Sequence, residues 1–240
     1  MTDFVLVHGA WHTGNELRST ARFIESRGHS VHLPTLAGNR PGDTKFTTLK
    51  EAIYSLVEFV RERKITDAVF VGHSYGGMII TGAADELPEG VIRRLVYWSA
   101  FVPNDGECLN DMVPAHYVDL FSRQEKEDGS VMLPFSIWRE HFINDGDLET
   151  ARNSYSALNP HPYSTFKEKI RLKGDPRDIP LPKSFLNCTE DNAIPQSLGW
   201  HPGLSEKLGI FRLVQVAGSH ELCFTNPELL ALKILEAGRD

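Results

Sequence analysis

The sequence predicts an α/β fold: a mostly parallel sheet of about six strands, with helices on both faces and a helical cap. Three observations predict it. Short apolar or β-branched runs alternate along the chain with longer helical patterns. The short runs are apolar on both faces, which is typical of parallel strands covered by helices. One long polar segment interrupts the alternation, and such insertions are commonly lids or variable loops.

Each element follows from its local pattern. The predicted strands are short runs rich in Val, Ile, Leu and Phe: FVLVHG (4–9), HSVHLP (29–34), AVFVG (68–72), IRRLVYWSAF (92–101), PKSFLNCTED (182–191) and FRLVQVAG (211–218). The predicted helices carry apolar residues at helical spacing or end at glycine: residues 15–28, 47–64, 75–87 and 226–238.

The interrupting segment runs from Asn104 to about Pro180 and contains polar stretches, prolines and aromatic residues. Within it we predict no buried strand and two helical pieces, Val113–Glu127 and Phe135–Ala157. We therefore predict a single α/β domain over residues 1–240, with a core of 1–103 and 181–240 and a cap insertion of 104–180.

Composition excludes several classes of protein. The 240 residues are 41% apolar and 24% charged, and the formal charge of −7 is spread without a basic patch, which argues against nucleic-acid binding. No apolar run approaches the ~20 residues of a membrane-spanning helix. Three cysteines without a CxxC pair, and an N-terminus without a signal-peptide pattern, predict a cytoplasmic protein. The sequence sets no oligomeric state, and a homodimer is one option.

The motif with chemical content is GHSYGG, in which Gly72 and Gly76 flank Ser74. In a G-x-S-x-G nucleophile elbow, a strand turns sharply into a helix and presents the serine hydroxyl above the sheet edge. The motif lies between a predicted strand and a predicted helix, as the elbow requires. We predict Ser74 as a nucleophile; the alternative is a packing turn.

A serine nucleophile needs a base that is oriented by an acid, and the elbow predicts the chain order Ser, Asp or Glu, His. Asp191 follows the fifth predicted strand, and His220 follows the sixth. Carboxyl ends of parallel strands meet at one sheet edge, so we predict a Ser74–His220–Asp191 triad. Glu190 and Asp105 are alternative acids.

Acyl transfer also needs donors for the oxyanion. We nominate the backbone N–H groups of Tyr75, directly after the nucleophile, and of Ala10, in the loop after the first strand.

A substrate pocket is predicted near these groups. Its candidate residues, which could equally pack the core and cap, are Gly9, Trp11, His12, Trp138, Phe142 and Phe224. His116, His141, His161 and His201 show no metal-ligand spacing, and the triad chemistry requires neither a metal nor an organic cofactor, so we predict none.

Five motifs together carry a family resemblance: VLVHGAWH, LAGNRPG, GHSYGGM, CTEDNAIP and GSHELCFTNPELLALKI. The chain resembles the α/β-hydrolase superfamily, and within it the compact branch of plant methylesterases, hydroxynitrile lyases and bacterial carboxylesterases. The resemblance implies a serine carboxylesterase that cleaves a small or medium, partly apolar ester through an acyl-enzyme.

Two positions bear on the choice within that branch. Its hydroxynitrile lyases carry threonine where this chain has Gly9 and lysine where it has Glu221, and that lysine stabilises the departing cyanide. The lyase interpretation is therefore disfavoured. The alternatives kept are a cofactor-free lyase or C–C bond-cleaving enzyme on the same triad, and a small-molecule receptor with slow turnover.

Overall fold

A six-stranded parallel sheet forms the centre of the protein, whose computed structural model describes residues 1–240. Its strands are β1 (Asp3–Val7), β2 (Ser30–His32), β3 (Ala68–His73), β4 (Ile92–Trp98), β7 (Lys183–Cys188) and β8 (Arg212–Val216). They lie in the order β2-β1-β3-β4-β7-β8, and every neighbouring pair is parallel. The predicted fold class is confirmed.

Helices cover both faces of this sheet. The principal ones are α1 (Arg18–Glu25), α2 (Leu49–Glu62), α3 (Gly76–Glu86) and α9 (Pro227–Gly238), with a short α8 (Leu222–Thr225) before the last. Buried side chains of α1 and α9 pack in one apolar cluster, and those of α2 and α3 in another.

The strand pleat divides the core between these two clusters. In β3, Val69 and Val71 join the α1/α9 cluster, whereas Phe70 joins the α2/α3 cluster. In β4, Trp98 joins the α1/α9 cluster, whereas Tyr97 joins the α2/α3 cluster. Because successive side chains point to opposite faces, a strand buried on both sides must be apolar throughout. This is the pattern from which the parallel sheet was predicted.

The segment predicted as a cap contains short elements. They are α4 (Ala115–Gln124), β5 (Ser130–Val131), α5 (Phe135–Ile137), α6 (Leu148–Ala157), β6 (His161–Pro162) and α7 (Ser164–Lys167). Strands β5 and β6 form a buried antiparallel pair. The prediction that no buried strand lies here was wrong, because two residues are too few to leave a periodic pattern.

The prediction of one continuous helix over Phe135–Ala157 was also wrong. Helix α5 runs into a wide π-type turn at Trp138–Phe142, and the chain then leaves helical geometry before α6. Asp147 starts α6 afresh, because its carboxylate accepts a hydrogen bond from the Thr150 N–H at 2.7 Å. An aspartate in this role is a standard helix N-cap.

Two further observations concern the whole chain. Cys108, Cys188 and Cys223 are all buried and unpaired. The helices include none with the length and apolar character needed to cross a bilayer.

Candidate active site

The turn between β3 and α3 holds Ser74 in a left-handed backbone conformation, with φ at +53°. A non-glycine residue adopts this conformation at a cost and keeps it only where the surroundings impose it. Glycine is required on both sides. A Cβ on Gly72 would lie 2.6 Å from the Gly76 carbonyl oxygen, and one on Gly76 would lie 2.7 Å from that of Val7. The strand–turn–helix context that the motif requires is present.

Hydrogen bonds with β4, with the loop after β4 and with α3 fix the backbone of this turn. The Ser74 N–H donates to the Trp98 carbonyl oxygen at 3.2 Å. The Ser74 carbonyl oxygen accepts from the N–H groups of Gly77 at 3.0 Å and Phe101 at 3.1 Å. With its main chain satisfied in this way, Ser74 presents its side chain to a cavity that His220 also lines.

His220 is oriented by Asp191. The His220 Nδ1–H donates to Asp191 Oδ2 at 2.6 Å, and both side chains are buried. The other carboxylate oxygen, Oδ1, accepts from the Ala193 N–H at 2.8 Å. Since an ionised carboxylate can only accept, Nδ1 carries the hydrogen and Nε2 keeps its lone pair. An imidazole in this state can take up a proton at Nε2.

The two alternative acids lie elsewhere. Glu190 is exposed to solvent. Asp105 is exposed as well, and its Oδ1 accepts from the Leu172 N–H at 2.9 Å. Of the three candidate acids, only Asp191 contacts His220.

Aromatic rings enclose the His220 imidazole. Trp200 stacks on it with ring centroids 5.1 Å apart, and Phe142 meets it edge-on at 5.2 Å. His73 lies 4.6 Å away and donates from Nε2 to the His220 carbonyl oxygen at 3.0 Å. Burial alone lowers the pKa of His220. The charge and hydrogen bond of Asp191, with a smaller contribution from Glu221, outweigh burial and raise this pKa above its usual value.

Ala10 and Tyr75 line the same cavity as Ser74. No hydrogen bond within the protein uses either N–H group. The next amide, that of Trp11, is directed away and donates to His161 Nδ1 at 3.4 Å. The Ala10 and Tyr75 amides thus have no hydrogen-bond partner within the protein, whereas the Trp11 amide has one.

Hydrogen bonds from the cap segment hold Trp11, which has a left-handed backbone conformation with φ at +64°. Its carbonyl oxygen accepts from the Asn159 N–H at 2.7 Å, and its indole N–H donates to the Val131 carbonyl oxygen at 3.1 Å. Its amide is the donor to His161 described above. Three residues of the cap segment thus fix the conformation next to Ala10, an arrangement that sequence reasoning missed.

His161 is held in one tautomer. Besides the Trp11 amide, its Nδ1 receives a contact from Asn39 Nδ2 at 3.2 Å, while Nε2 lies 3.0 Å from Thr165 Oγ1. The pKa of His161 is lowered well below the usual value, first by burial and then by the electrostatic effect of neighbouring basic side chains, His8, Lys45 and His12. A neutral ring with its hydrogen on Nε2 satisfies all of these contacts.

The cavity above Ser74 is almost entirely apolar and is partly open to solvent. His220 is the only histidine, acidic or basic residue that lines this cavity. The remaining lining residues are Ala10, Trp11, Ser74, Tyr75, Phe101, Leu109, Val113, Tyr117, Phe121, Phe142, Phe166, Ala193, Ile194 and Trp200. Most of these were not predicted, because they come from loops and cap helices without a periodic signal.

Of the predicted pocket residues, Trp11 and Phe142 line the cavity, whereas His12, Trp138 and Phe224 do not. Those three pack on one another: the His12 ring lies 5.8 Å from each of the other two.

Gly9 does not line the cavity either. It lies under Ser74, where an added Cβ would be 3.2 Å from the serine Cβ and 3.0 Å from His73 Nδ1.

Two other histidines near the site have structural partners. His8 accepts at Nε2 from the Leu36 N–H at 3.1 Å, and its Nδ1 lies 2.8 Å from the Gly9 carbonyl oxygen. Burial lowers the pKa of His8 to about 3. His12 pairs with Glu221, with 3.2 Å between Nε2 and Oε2.

One group of metal-ligating side chains lies here: His73, His220 and Glu221, whose ligand atoms are within 4.8 Å of one another. The Asp191 and carbonyl hydrogen bonds described above already engage one nitrogen of each imidazole. The remaining His73 Nδ1 packs against Gly9. We therefore assign no metal to this group.

Comparison with known proteins places the chain in a family. Residues 4–231 match the model of the alpha/beta hydrolase family. A solved extracellular alpha/beta-hydrolase from a Paenibacillus species is 33% identical over the whole of both chains, with a TM-score of 0.96. That structure is described as sharing structural and functional homology with tobacco salicylic acid binding protein 2.

Two curated relatives are also similar. The carbendazim hydrolyzing esterase of Nocardioides sp. is 42% identical over 119 residues, about half the length of each protein. Salicylic acid-binding protein 2 of Nicotiana tabacum is 26% identical across 97% of this chain and 95% of that protein. Because the family model matches nearly the whole length of this chain, the chain belongs to the alpha/beta hydrolase family.

Proposed function

We propose that the protein is a serine carboxylesterase in which Ser74, His220 and Asp191 form the catalytic triad. The observation that carries this proposal is the buried 2.6 Å hydrogen bond between His220 and Asp191, in a cavity that Ser74 shares. The bond fixes the tautomer that a general base needs. Similarity to an esterase supports the same class of reaction.

The proposed reaction has two stages. Ser74 Oγ attacks the ester carbonyl carbon while His220 Nε2 takes its proton, and Asp191 stabilises the resulting imidazolium. His220 then protonates the departing alcohol, which leaves an acyl group on Ser74. In the second stage His220 activates a water molecule that releases the carboxylic acid and regenerates the serine.

Negative charge develops on the carbonyl oxygen in both stages. The Ala10 and Tyr75 amides, which have no partner within the protein, are the proposed donors to that oxygen. A donor of this kind is typically worth ~3–4 kcal/mol of transition-state stabilisation. Tyr75 is also the N-terminal flanking residue of α3, where the helix dipole favours negative charge.

The cavity indicates the class of substrate. Its aromatic and aliphatic walls favour an uncharged, partly apolar group of small or medium size, because burying an unpaired charge there is costly. The proposed substrate is therefore a small-molecule ester in which the group beside Ser74 is neutral. No cofactor takes part in this mechanism.

The lyase alternative has less support. A threonine at Gly9 would place its Cβ 3.2 Å from the Ser74 Cβ, a tight contact that requires a neighbouring atom to shift. Glu221, at the position of the lyase lysine, is buried against His12 and does not line the cavity.

The receptor alternative is favoured by one observation, the similarity to a protein named for binding salicylic acid. Turnover separates the two: a receptor would hydrolyse a broad panel of esters far more slowly than ~1 s⁻¹, below the ordinary range of enzymes.

The test is a parallel assay of purified protein on p-nitrophenyl esters and on mandelonitrile. The proposal predicts ester hydrolysis at ordinary enzymatic rates without cyanide release. Cyanide release without ester hydrolysis would instead establish the lyase, and slow turnover of every ester with tight ligand binding would establish the receptor.

A further inference from the structure

A second buried histidine–carboxylate pair lies beside the proposed triad. His12 Nε2 and Glu221 Oε2 are 3.2 Å apart, and their side chains are only 3% and 1% exposed. The triad mechanism uses neither residue. Burying two ionisable side chains costs desolvation free energy. Removing only one of them strongly destabilises the fold, because the other is left as an unpaired buried charge.

The charges favour a proton between these two residues, although the 3.2 Å contact between Nε2 and Oε2 does not have hydrogen-bond geometry. His12 Nδ1 lies 2.6 Å from the Ala10 carbonyl oxygen, and a carbonyl can only accept, so Nδ1 carries a hydrogen. If the ring were neutral, the Nε2 lone pair would lie within 3.2 Å of the negatively charged Glu221 carboxylate. An imidazolium beside a carboxylate removes that repulsion.

The surroundings support the charged form of His12. Burial alone lowers the pKa of His12. The charge and contact of Glu221, then the charge of Glu16 and the hydrogen bond to Ala10, outweigh burial and raise this pKa above 6.5. The titratable groups that interact electrostatically with the pair are Glu16, His8, His73, His161, His220 and Cys223. Apolar rings of Trp138 and Phe224 pack against His12 and exclude water.

The two ends of the pair reach two different parts of the proposed site. His12 is bonded to the carbonyl of Ala10, whose own amide is a proposed oxyanion donor. Glu221 directly follows His220 in the chain, and its N–H donates to the Phe142 carbonyl oxygen at 3.2 Å. The pair therefore joins the loop after β1 to the loop after β8.

We infer that the His12–Glu221 ion pair is a positioning device that sets the Ala10 amide and the His220 ring at a fixed separation. The Glu221 carboxylate also helps to stabilise the imidazolium that forms on His220. This inference rests on the proposed function. His12 and Glu221 act through Ala10 and His220 and do not themselves touch substrate.

Two substitutions of Glu221 separate charge from shape. Glu221→Gln keeps the size, and its amide can donate to the lone pair of a neutral His12, so the link between the loops persists without charge. Glu221→Leu removes the link, and misplacing a catalytic group by about 1 Å can cost on the order of 100-fold in rate. We expect kcat to fall in the order wild type, Gln, Leu, with KM changed far less than kcat.

The pH profile provides a readout that a merely structural role would not change. In wild type, loss of the His12 proton at high pH leaves Glu221 as an unpaired buried charge, so kcat has an alkaline limb. In Glu221→Gln that limb disappears, since no charge remains to be uncovered. The acid limb also moves slightly to lower pH, because Asp191 remains but the smaller contribution of Glu221 to raising the pKa of His220 is gone.

A measurement independent of activity tests the pair itself. In ¹⁵N-histidine NMR spectra of the full chain at pH 7, both ring nitrogens of His12 should carry hydrogen in wild type. His12 should be neutral in Glu221→Gln, and a His12→Gln variant assigns the signals. The matched control is Glu228→Gln, an exposed glutamate of α9 that should behave as wild type.

These experiments test the proposed function and the role of the His12–Glu221 pair separately. Wild-type protein that hydrolyses no ester contradicts the proposed function, and NMR still reports on the pair. If the wild type is active but His12 is neutral at pH 7, the inference is overturned. The same holds if Glu221→Leu retains the kcat and pH profile of Glu228→Gln.

Discussion

The imidazole of His220 lies against the indole of Trp200, with ring planes only 17° apart. This stacking buries one face of the proposed general base. The indole N–H of Trp200 is buried without a hydrogen-bond partner, so the ring contributes its surface alone. Trp200 is supplied by the segment between β7 and β8, outside the predicted cap.

Replacing Trp200 by alanine should therefore expose His220 to water. Because burial lowers the pKa of His220, relief of burial raises it further and moves the acid limb of kcat/KM to higher pH. Trp200→Phe keeps an aromatic face and loses only the unpartnered N–H, so its profile should match that of wild type. A pH–rate series of the three proteins checks this, and an unshifted alanine profile would contradict it.

Asp191→Asn should remove nearly all activity while the fold persists. The equivalent change in a well-studied serine protease triad lowers kcat by about 10⁴-fold, because the imidazole is no longer held in the required tautomer. Glu190→Gln, an exposed neighbour, is the matched control and should retain wild-type kcat. Loss of activity in the glutamine variant with retention in the asparagine variant would reassign the acid.

Asp191 should also set the pH dependence of the wild type. Ester hydrolysis needs neutral His220, so activity appears as pH rises through its pKa. Asp191 and Glu221 raise this pKa, so the acid limb should lie above 6.5, the ordinary value for histidine. A limb below that value, measured as kcat/KM against pH with a neutral ester, would show that burial outweighs the carboxylates.

His161→Leu should lower kcat with little effect on KM. The substitution removes the acceptor of the Trp11 amide, and the left-handed conformation next to Ala10 loses one of its three restraints. The loss is bounded by the ~3–4 kcal/mol that an oxyanion donor supplies. His141→Leu, on an exposed histidine of the cap segment, is the control. Equal kinetics in both variants would exclude a positioning role for His161.

The apolar cavity predicts strong discrimination against charge. Hydrolysis of p-nitrophenyl butyrate should exceed that of mono-p-nitrophenyl succinate, whose acyl chain has the same number of carbons but ends in a carboxylate. Burying that charge without a partner costs several kcal/mol, so kcat/KM should differ by at least about 100-fold. Similar values for the two esters would mean that the acyl group does not occupy this cavity.

The residues that could be predicted are those fixed by the sheet. Parallel strands bring their carboxyl ends to one edge, so the positions of Ser74, Asp191 and His220 followed from chain order. The acid was ambiguous at sequence level, because Glu190 and Asp191 are adjacent. Only the direction of each side chain from the end of β7 distinguishes them, and here Asp191 alone is buried.

The cavity could not be predicted in the same way. Phe121 and Phe166 reach it from separate pieces of the cap, whose packing depends on contacts distant in sequence. The helix predicted over Phe135–Ala157 is interrupted before Asp147, because Asp147 is the N-cap of a new helix, α6. For the His12–Glu221 pair the only signal was an unusual glutamate directly after His220.

The central claim is that Ser74 forms a covalent acyl-enzyme. The most direct measurement is rapid mixing with excess p-nitrophenyl ester, followed by acid quenching and mass analysis of the peptide that contains Ser74. The account predicts a burst of one p-nitrophenol per chain and an acyl adduct on Ser74, with both absent in Ser74→Ala. An adduct on another residue, or undiminished turnover by Ser74→Ala, would contradict it.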